Sequence, residues 1–307
     1  MELKRHKQYI VEWGSISSEV ISASRRLSKM IWKHSFDKMT YYSWDEKKPY
    51  IEGEFEFDFS SVGFDIDIPF TVTYTIYITN TKEEYDNLFS NVNGDESANS
   101  STDFENHRIN IVSGMIGGYP SPDFLSNVMH EVDHVFEYMK GYKKNTTLYD
   151  RVINGINSDD TYVKTVATLM YYCFKHEQDA FVHEFYGALC QNKCDGDFKS
   201  ALYDLSEYYN LFKIKLIVQH EYNREEIKAA CSKLGTSYEH VIRFATYIAK
   251  RMENKLFKAY MRYCIQKSKI TAEGIIQKNK MNPFIFNEYK KIYKNLALKE
   301  EKYIDKP

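Results

Sequence analysis

Long apolar runs are missing from this chain of 307 residues, and no stretch approaches the ~20 residues a membrane-spanning helix needs. The charged start, Met1-Glu2-Leu3-Lys4-Arg5-His6-Lys7, has no hydrophobic segment behind it, so no secretory signal is expected. Cysteine is scarce, with five residues, an odd number that argues for a reducing, cytoplasmic compartment. Cys190 and Cys194 stand one helical turn apart, but no second pair completes a metal clip and ordinary packing accounts for them. Net charge is also nearly absent, at −2, though unevenly spread: from Lys250 onward there are 15 Lys or Arg against 6 Asp or Glu. Those lysines are interspersed through helical patterns, with Tyr260, Tyr263, Tyr289 and Tyr293 at core-like spacing. A solvated helical surface is therefore expected, in preference to a nucleic-acid-binding one. Internal repeats and low-complexity segments are lacking too.

What is present suits a folded globule: 43% hydrophobic residues, with 26 tyrosines and 19 phenylalanines, enough for one large domain or two modest ones. Residues 15–38 read as an amphipathic helix with a basic outer side. Ile51, Gly53, Phe55, Phe57 and Phe59 then alternate with Glu52, Glu54, Glu56 and Asp58, and after a turn at 60–63 alternation resumes from Phe64 to Ile78. This pattern predicts a long hairpin with an acidic, solvated outer face. A polar loop from Asn91 to Thr102 leads to a short strand, Arg108-Ile109-Asn110-Ile111-Val112, and then to glycine- and proline-enforced turns. The remainder reads as helices over 159–192, with a break near Phe174-Lys175-His176, and over 198–220, 223–233, 237–264 and 283–298.

The chemistry concentrates in His130-Glu131-Val132-Asp133-His134, an H-E-x-x-H that random order would produce about 0.02 times in a chain of this composition. On a helix, histidines four apart project from one face and can bind one zinc, with the glutamate between them placed as a general base. The context predicts that helix. Ser121-Pro122-Asp123 reads as its start, Lys140-Gly141 as its end, and Phe124, Leu125, Val128, Met129, Val132, Val135, Phe136 and Met139 form an apolar stripe away from the histidines. A catalytic zinc usually takes three protein ligands and one open position. The continuation H-E-x-x-H-x-x-G-x-x-H fails, since Glu137 and Lys140 stand where glycine and the third histidine would be. Glu177, in His176-Glu177-Gln178-Asp179-Ala180-Phe181, is the best third ligand, with His176 and His183 as fallbacks.

With that glutamate the chain resembles the gluzincins, zinc peptidases whose H-E-x-x-H is completed by a glutamate on a later helix, often within E-x-x-A. Glu177 and Ala180 fit that pattern. Thermolysin-like members carry an aspartate four residues after the ligand glutamate, where this chain has Phe181, so the carboxylate orienting a ligand histidine must come from elsewhere, with Asp179 and Asp133 as candidates. The resemblance covers about ten residues and their helical setting. It implies Zn2+ held by His130, His134 and Glu177, with Glu131 as base on a zinc-activated water. It also implies an edge strand just upstream, where Arg108, Ile109, Asn110, Ile111 and Val112 are placed to receive a peptide or protein substrate by strand addition. The oxyanion donor is open among His183, Arg151, Tyr171 and Tyr172.

The expected fold is a zincin-like α+β plan: an N-terminal helix and sheet lobe over 1–118 and a helical lobe over 119–307, together one catalytic unit. Two other classes remain to be weighed. One is a non-catalytic zinc-stabilised scaffold, such as a phage virion or assembly component, which the Lys-, Asn-, Ile- and Tyr-rich composition keeps open and a retained Glu131 argues against. The other is a nucleic-acid binder working through the basic carboxyl end.

Overall fold

A computed structural model describes residues 16–41, 50–92, 100–141, 146–220 and 224–304. The charged start lies outside them, as does part of the polar loop after Asn91. Helix α1 (Ser18–Tyr41) is followed by β1 (Tyr50–Phe57) and β2 (Phe70–Thr79), which pair antiparallel from Tyr50↔Tyr77 to Phe57↔Phe70. The acidic residues of β1 face outward, as the alternation predicts: Glu52, Glu54 and Glu56 are exposed while Ile51 and Phe57 are buried. The second strand starts six residues later than the alternation from Phe64 suggests. Pro69 cannot donate to the ladder, and Phe64 leaves the strand direction to pack on Phe59 and Phe136 at ring separations of 5.1 and 5.5 Å.

Helix α2 (Lys82–Val92), β3 (Ser101–Asp103), β4 (Arg108–Ile116) and β5 (Tyr119–Pro120) complete this lobe. The sheet order is β1-β2-β4-β3, with β4 parallel to β2 and antiparallel to β3, and β5 pairing the end of β4. This corrects the expectation that 108–112 forms a sheet edge. Arg108, Ile109 and Asn110 are flanked by β2 on one side and by Asp103, Thr102 and Ser101 on the other. The cause is the turn between β3 and β4: the Asp103 carboxylate accepts from the backbone N–H groups of Glu105 and Asn106, closing a hairpin that lays β3 over β4. Farther along, the Val112 N–H donates to Ser100 Oγ and its carbonyl accepts from the Asn127 amide. Ile109 and Ile111 are fully buried, and Arg108 reaches across the sheet toward Glu54 at 4.0 Å.

The helical lobe comprises α3 (Phe124–Met139), α4 (Thr146–Ile156), α5 (Thr161–Tyr171), α6 (Lys175–Asn192), α7 (Phe198–Leu205), α8 (Tyr209–Gln219), α9 (Arg224–Lys233), α10 (Tyr238–Gln266), α11 (Ala272–Lys278) and α12 (Pro283–Ile304). Two hydrophobic cores form, and α3 serves both. Phe124, Val128, Val132 and Val135 pack with α1 and the sheet, while Met129 joins the core of the helical lobe. The architecture is the zincin-like α+β plan. Among the described residues, no helix is long and apolar enough to cross a membrane.

Candidate metal centre

Helix α3 starts regularly at Phe124, after a turn in which the Phe124 N–H donates to Ser121 O. Gln191, near the end of α6, caps that start: its carbonyl accepts from the Leu125 N–H at 2.7 Å and its amide bonds Ser121 O. The other end closes as the sequence implies, with Gly141 in the left-handed region at φ +74°. Helix α6 lies along α3 because small residues let the backbones approach. Ala180 is fully buried, and a Cβ on Gly187 would sit 3.0 Å from Ser126 Cα.

This packing brings His130, His134 and Glu177 together, with one potential ligand atom from each lying within 4.8 Å of the others. Glu177 Oε2 is 3.5 Å from His130 Nε2 and 3.8 Å from His134 Nε2. Tetrahedral zinc with ligand bonds near 2.0–2.1 Å separates its ligands by about 3.3–3.5 Å, so this donor set fits the ion in chemistry and in spacing. Burial opposes ionisation of Glu177, but His134, His130 and His176 outweigh it and hold the carboxyl well below the usual range. Burial likewise opposes protonation of His130, yet Glu177 and Glu184 raise its pKa well above that of a free imidazole. The cluster therefore favours positive charge at its centre.

Two of the three ligands, His130 and Glu177, are held from behind. His130 Nδ1 lies 2.8 Å from Glu184 Oε2, which selects the Nδ1–H tautomer and turns Nε2 toward Glu177. Glu184 sits seven residues, two helical turns, after Glu177 on α6, so both carboxylates share one face. Phe181, one turn after Glu177, packs its ring edge-on to His130 at 5.2 Å. Glu177 Oε2 also accepts from the Tyr171 hydroxyl at 2.8 Å, and Oε1 lies 3.0 Å from His176 Nε2. His176 thus braces the ligand carboxylate and is no member of the metal cluster.

Asp133 and Asp179 do not orient the ligand histidines. Asp133 is buried against His183 Nδ1 at 3.1 Å, and Asp179 pairs with Lys255. His183 accepts from the Ser17 N–H at Nε2, 2.9 Å away, which anchors the start of α1 behind the zinc helices and removes it as a ligand. Of the other oxyanion candidates, Tyr172 OH accepts from Asn210 and Arg151 packs beside Gly235.

Glu131 is 4% exposed, and its Oε2 accepts from Thr102 Oγ1 at 2.7 Å. His130, Glu131 and Glu184 line a cleft of about 790 Å³ together with Tyr203, Glu207 and Lys213. Sequence reasoning missed Glu184, Thr102 and Tyr149. Tyr149, on the unanticipated helix α4, packs 5.5 Å from the His176 ring, and burial together with the charges of Glu177 and Glu131 keeps its phenol protonated. The E-x6-E spacing was the one available signal for Glu184.

The His130-Glu131-x-x-His134 pair with distant Glu177 matches the gluzincin-type zinc-binding motif, on a zincin-like fold. This defines a zinc-dependent hydrolytic centre of the metallopeptidase kind. No family model, curated protein or solved structure matches the chain.

Proposed function

We propose that the protein hydrolyses peptide bonds, with His130, His134 and Glu177 holding the metal and Glu131 acting as general base. Zinc bound there supplies a Lewis acid and lowers the pKa of a water toward neutrality. The Glu131 carboxylate takes the proton of the attacking water as its oxygen bonds the scissile carbonyl carbon, then delivers it to the amine nitrogen as the C–N bond breaks. Thr102 holds the Glu131 carboxylate in place through its Oε2. Tyr149, which packs on His176 and keeps its phenolic proton at neutral pH, is the candidate donor to the developing oxyanion. Because β3 flanks 108–110, the substrate strand is assigned to the outer side of Ser101–Asp103, beside Glu131, with β4 as support.

The observation that carries this reading is Glu131 itself: a nearly buried carboxylate beside the metal cluster and on the wall of an open cleft. A purely structural zinc site needs no such base. Glu131→Gln keeps the shape and removes the proton acceptor, so zinc stoichiometry should stay at one while turnover of an unfolded casein-like substrate falls about 10²–10⁴-fold. Wild type that binds zinc yet matches Glu131→Gln across a broad substrate panel refutes the peptidase and leaves a zinc-stabilised scaffold.

A further inference from the structure

A second cavity, of about 490 Å³, lies between α4, α5, the start of α6 and α10, and Gln178, the residue after Glu177, lines it. Its walls are apolar, chiefly Leu169, Met170, Val241 and Ile248, with Phe244 at its half-exposed mouth. The volume is that of a small-molecule site. Gln178 offers an unsatisfied polar atom in this lining. Gln178 is 2% exposed, and its Oε1 has no hydrogen-bond partner among the described residues. An amide flip does not cure this, because the Gln178 Nε2 donates to Cys173 O at 2.8 Å and exchanging the atoms would set oxygen against oxygen. Buried acceptors are seldom left unpaired, so a donor is expected from whatever fills the space.

The charged and ionisable groups around the cavity select the rest of the ligand. Lys175, Arg251 and His240 line it, and among the described residues no carboxylate does. Cys173 also lines it, but burial pushes its thiol up to about 12, which removes it as a nucleophile at neutral pH. We propose that this cavity binds a small apolar anion carrying a hydrogen-bond donor: apolar body against Val241 and Ile248, donor on Gln178 Oε1, anionic group toward Lys175 and Arg251.

Occupancy should be felt at the metal. Phe174 lines the cavity and stacks on His176 at 5.6 Å with planes 22° apart, and His176 Nε2 is 3.0 Å from the ligand carboxylate of Glu177. Gln178 is the next residue of the same helical turn. The site is therefore a regulatory one, in which the bound anion and zinc alter each other's affinity by the same factor. Binding itself stands without the peptidase reading; only the coupling rests on the metal centre.

The probe is 8-anilinonaphthalene-1-sulfonate, which has an aromatic body, one N–H donor and one sulfonate. Zinc-loaded protein should bind it at a single saturable site, with displacement by indole-3-acetate, which has an apolar body, one N–H donor and one carboxylate. Phe244→Glu changes a half-exposed residue and puts a carboxylate in the mouth, so probe affinity should fall about tenfold or more with circular dichroism unchanged. Val241→Trp fills the cavity and should abolish binding; if that variant unfolds, Phe244→Glu decides alone. Zinc affinity, measured by chelator competition, should shift about fivefold or more between probe-free and probe-saturated protein. Absent or multi-site probe binding, or binding indifferent to Phe244→Glu, overturns the site. Single-site binding with unchanged zinc affinity overturns the coupling and leaves the site. Neither result depends on whether any peptide is cleaved.

Discussion

Replacing Glu184 tests whether the centre is assembled as a unit. Its Oε2 accepts from His130 Nδ1 at 2.8 Å, and the two side chains are 12% and 13% exposed, so solvent screens the contact little. A charge-assisted hydrogen bond of this kind contributes about 1.5–3 kcal/mol. At about 1.4 kcal/mol per decade, complete loss lowers zinc affinity by roughly 10–150-fold. Glu184 borders the cleft, so water can take over part of its role in Glu184→Ala, and a loss of about 10–100-fold is expected. Glu184→Gln keeps an acceptor without the charge and should fall between wild type and alanine. The assay is competition against a chelator of known zinc affinity at pH 7, with thermal unfolding of the metal-free proteins as a control for folding. Zinc affinity in Glu184→Ala within about twofold of wild type refutes the argument that this carboxylate orients the ligand histidine.

Three further outcomes follow from other parts of the structure. Because Glu177 and Glu184 raise the pKa of His130 in the metal-free centre, zinc must displace a proton from it at pH 7. Titration calorimetry in buffers of different ionisation enthalpy should show about one proton released, with zinc affinity falling as pH drops because the histidines protonate while Glu177 stays ionised; release of none at pH 7 contradicts the charge arrangement. Gly187→Val would push a side chain into Ser126 Cα and Met129 Sδ, 3.0 and 3.1 Å from a Cβ, and should cost about 1–3 kcal/mol in denaturant unfolding while weakening zinc binding, since α3 and α6 carry the ligands. An unchanged denaturation midpoint refutes that packing. Burial pushes Cys173 and Cys264 up to about 12 and Cys231 to about 11, so all three should resist iodoacetamide at pH 8 in the folded protein and react once it is unfolded.

The metal cluster was legible because local rules place it. Four-residue spacing puts two histidines on one helix face, and the break at 172–174 puts Glu177 in the first turn of α6, as the pattern near Phe174 implies. The edge strand was not legible, because β3 is three residues long and has no alternation to read; only the Asp103 turn announces the hairpin. Tyr149 was missed with the whole of α4, whose sequence between Thr146 and Ile156 includes Gly155 and two leading threonines and so carries weak helical signals. At Gly155 the glycine serves packing, because a Cβ would press within 2.8 Å of the Ala167 and Leu234 side chains.

The orienting carboxylate shows most clearly why a motif read as a string falls short. The sequence offers Asp133 and Asp179 closer to the ligands in number, but number is not direction. On α6, 100° per residue carries position 181 to 40° from Glu177 and position 184 to −20°. Phe181 therefore reaches His130 with its ring, and Glu184 reaches the same imidazole with its carboxylate from one turn farther on. Asp133 is about 300° around α3 from His130, which sends it into the interface with α6, where His183 meets it with one ring nitrogen while the other accepts from the Ser17 N–H. Burial on both sides of α3 decides these roles. One face packs on the sheet core, the opposite one on α6, and the narrow sector left between them carries His134 and is where His130 and Glu131 meet the cleft. A helix with two buried faces has little polar circumference to spare, so the metal ligands, the base and the cleft must coincide.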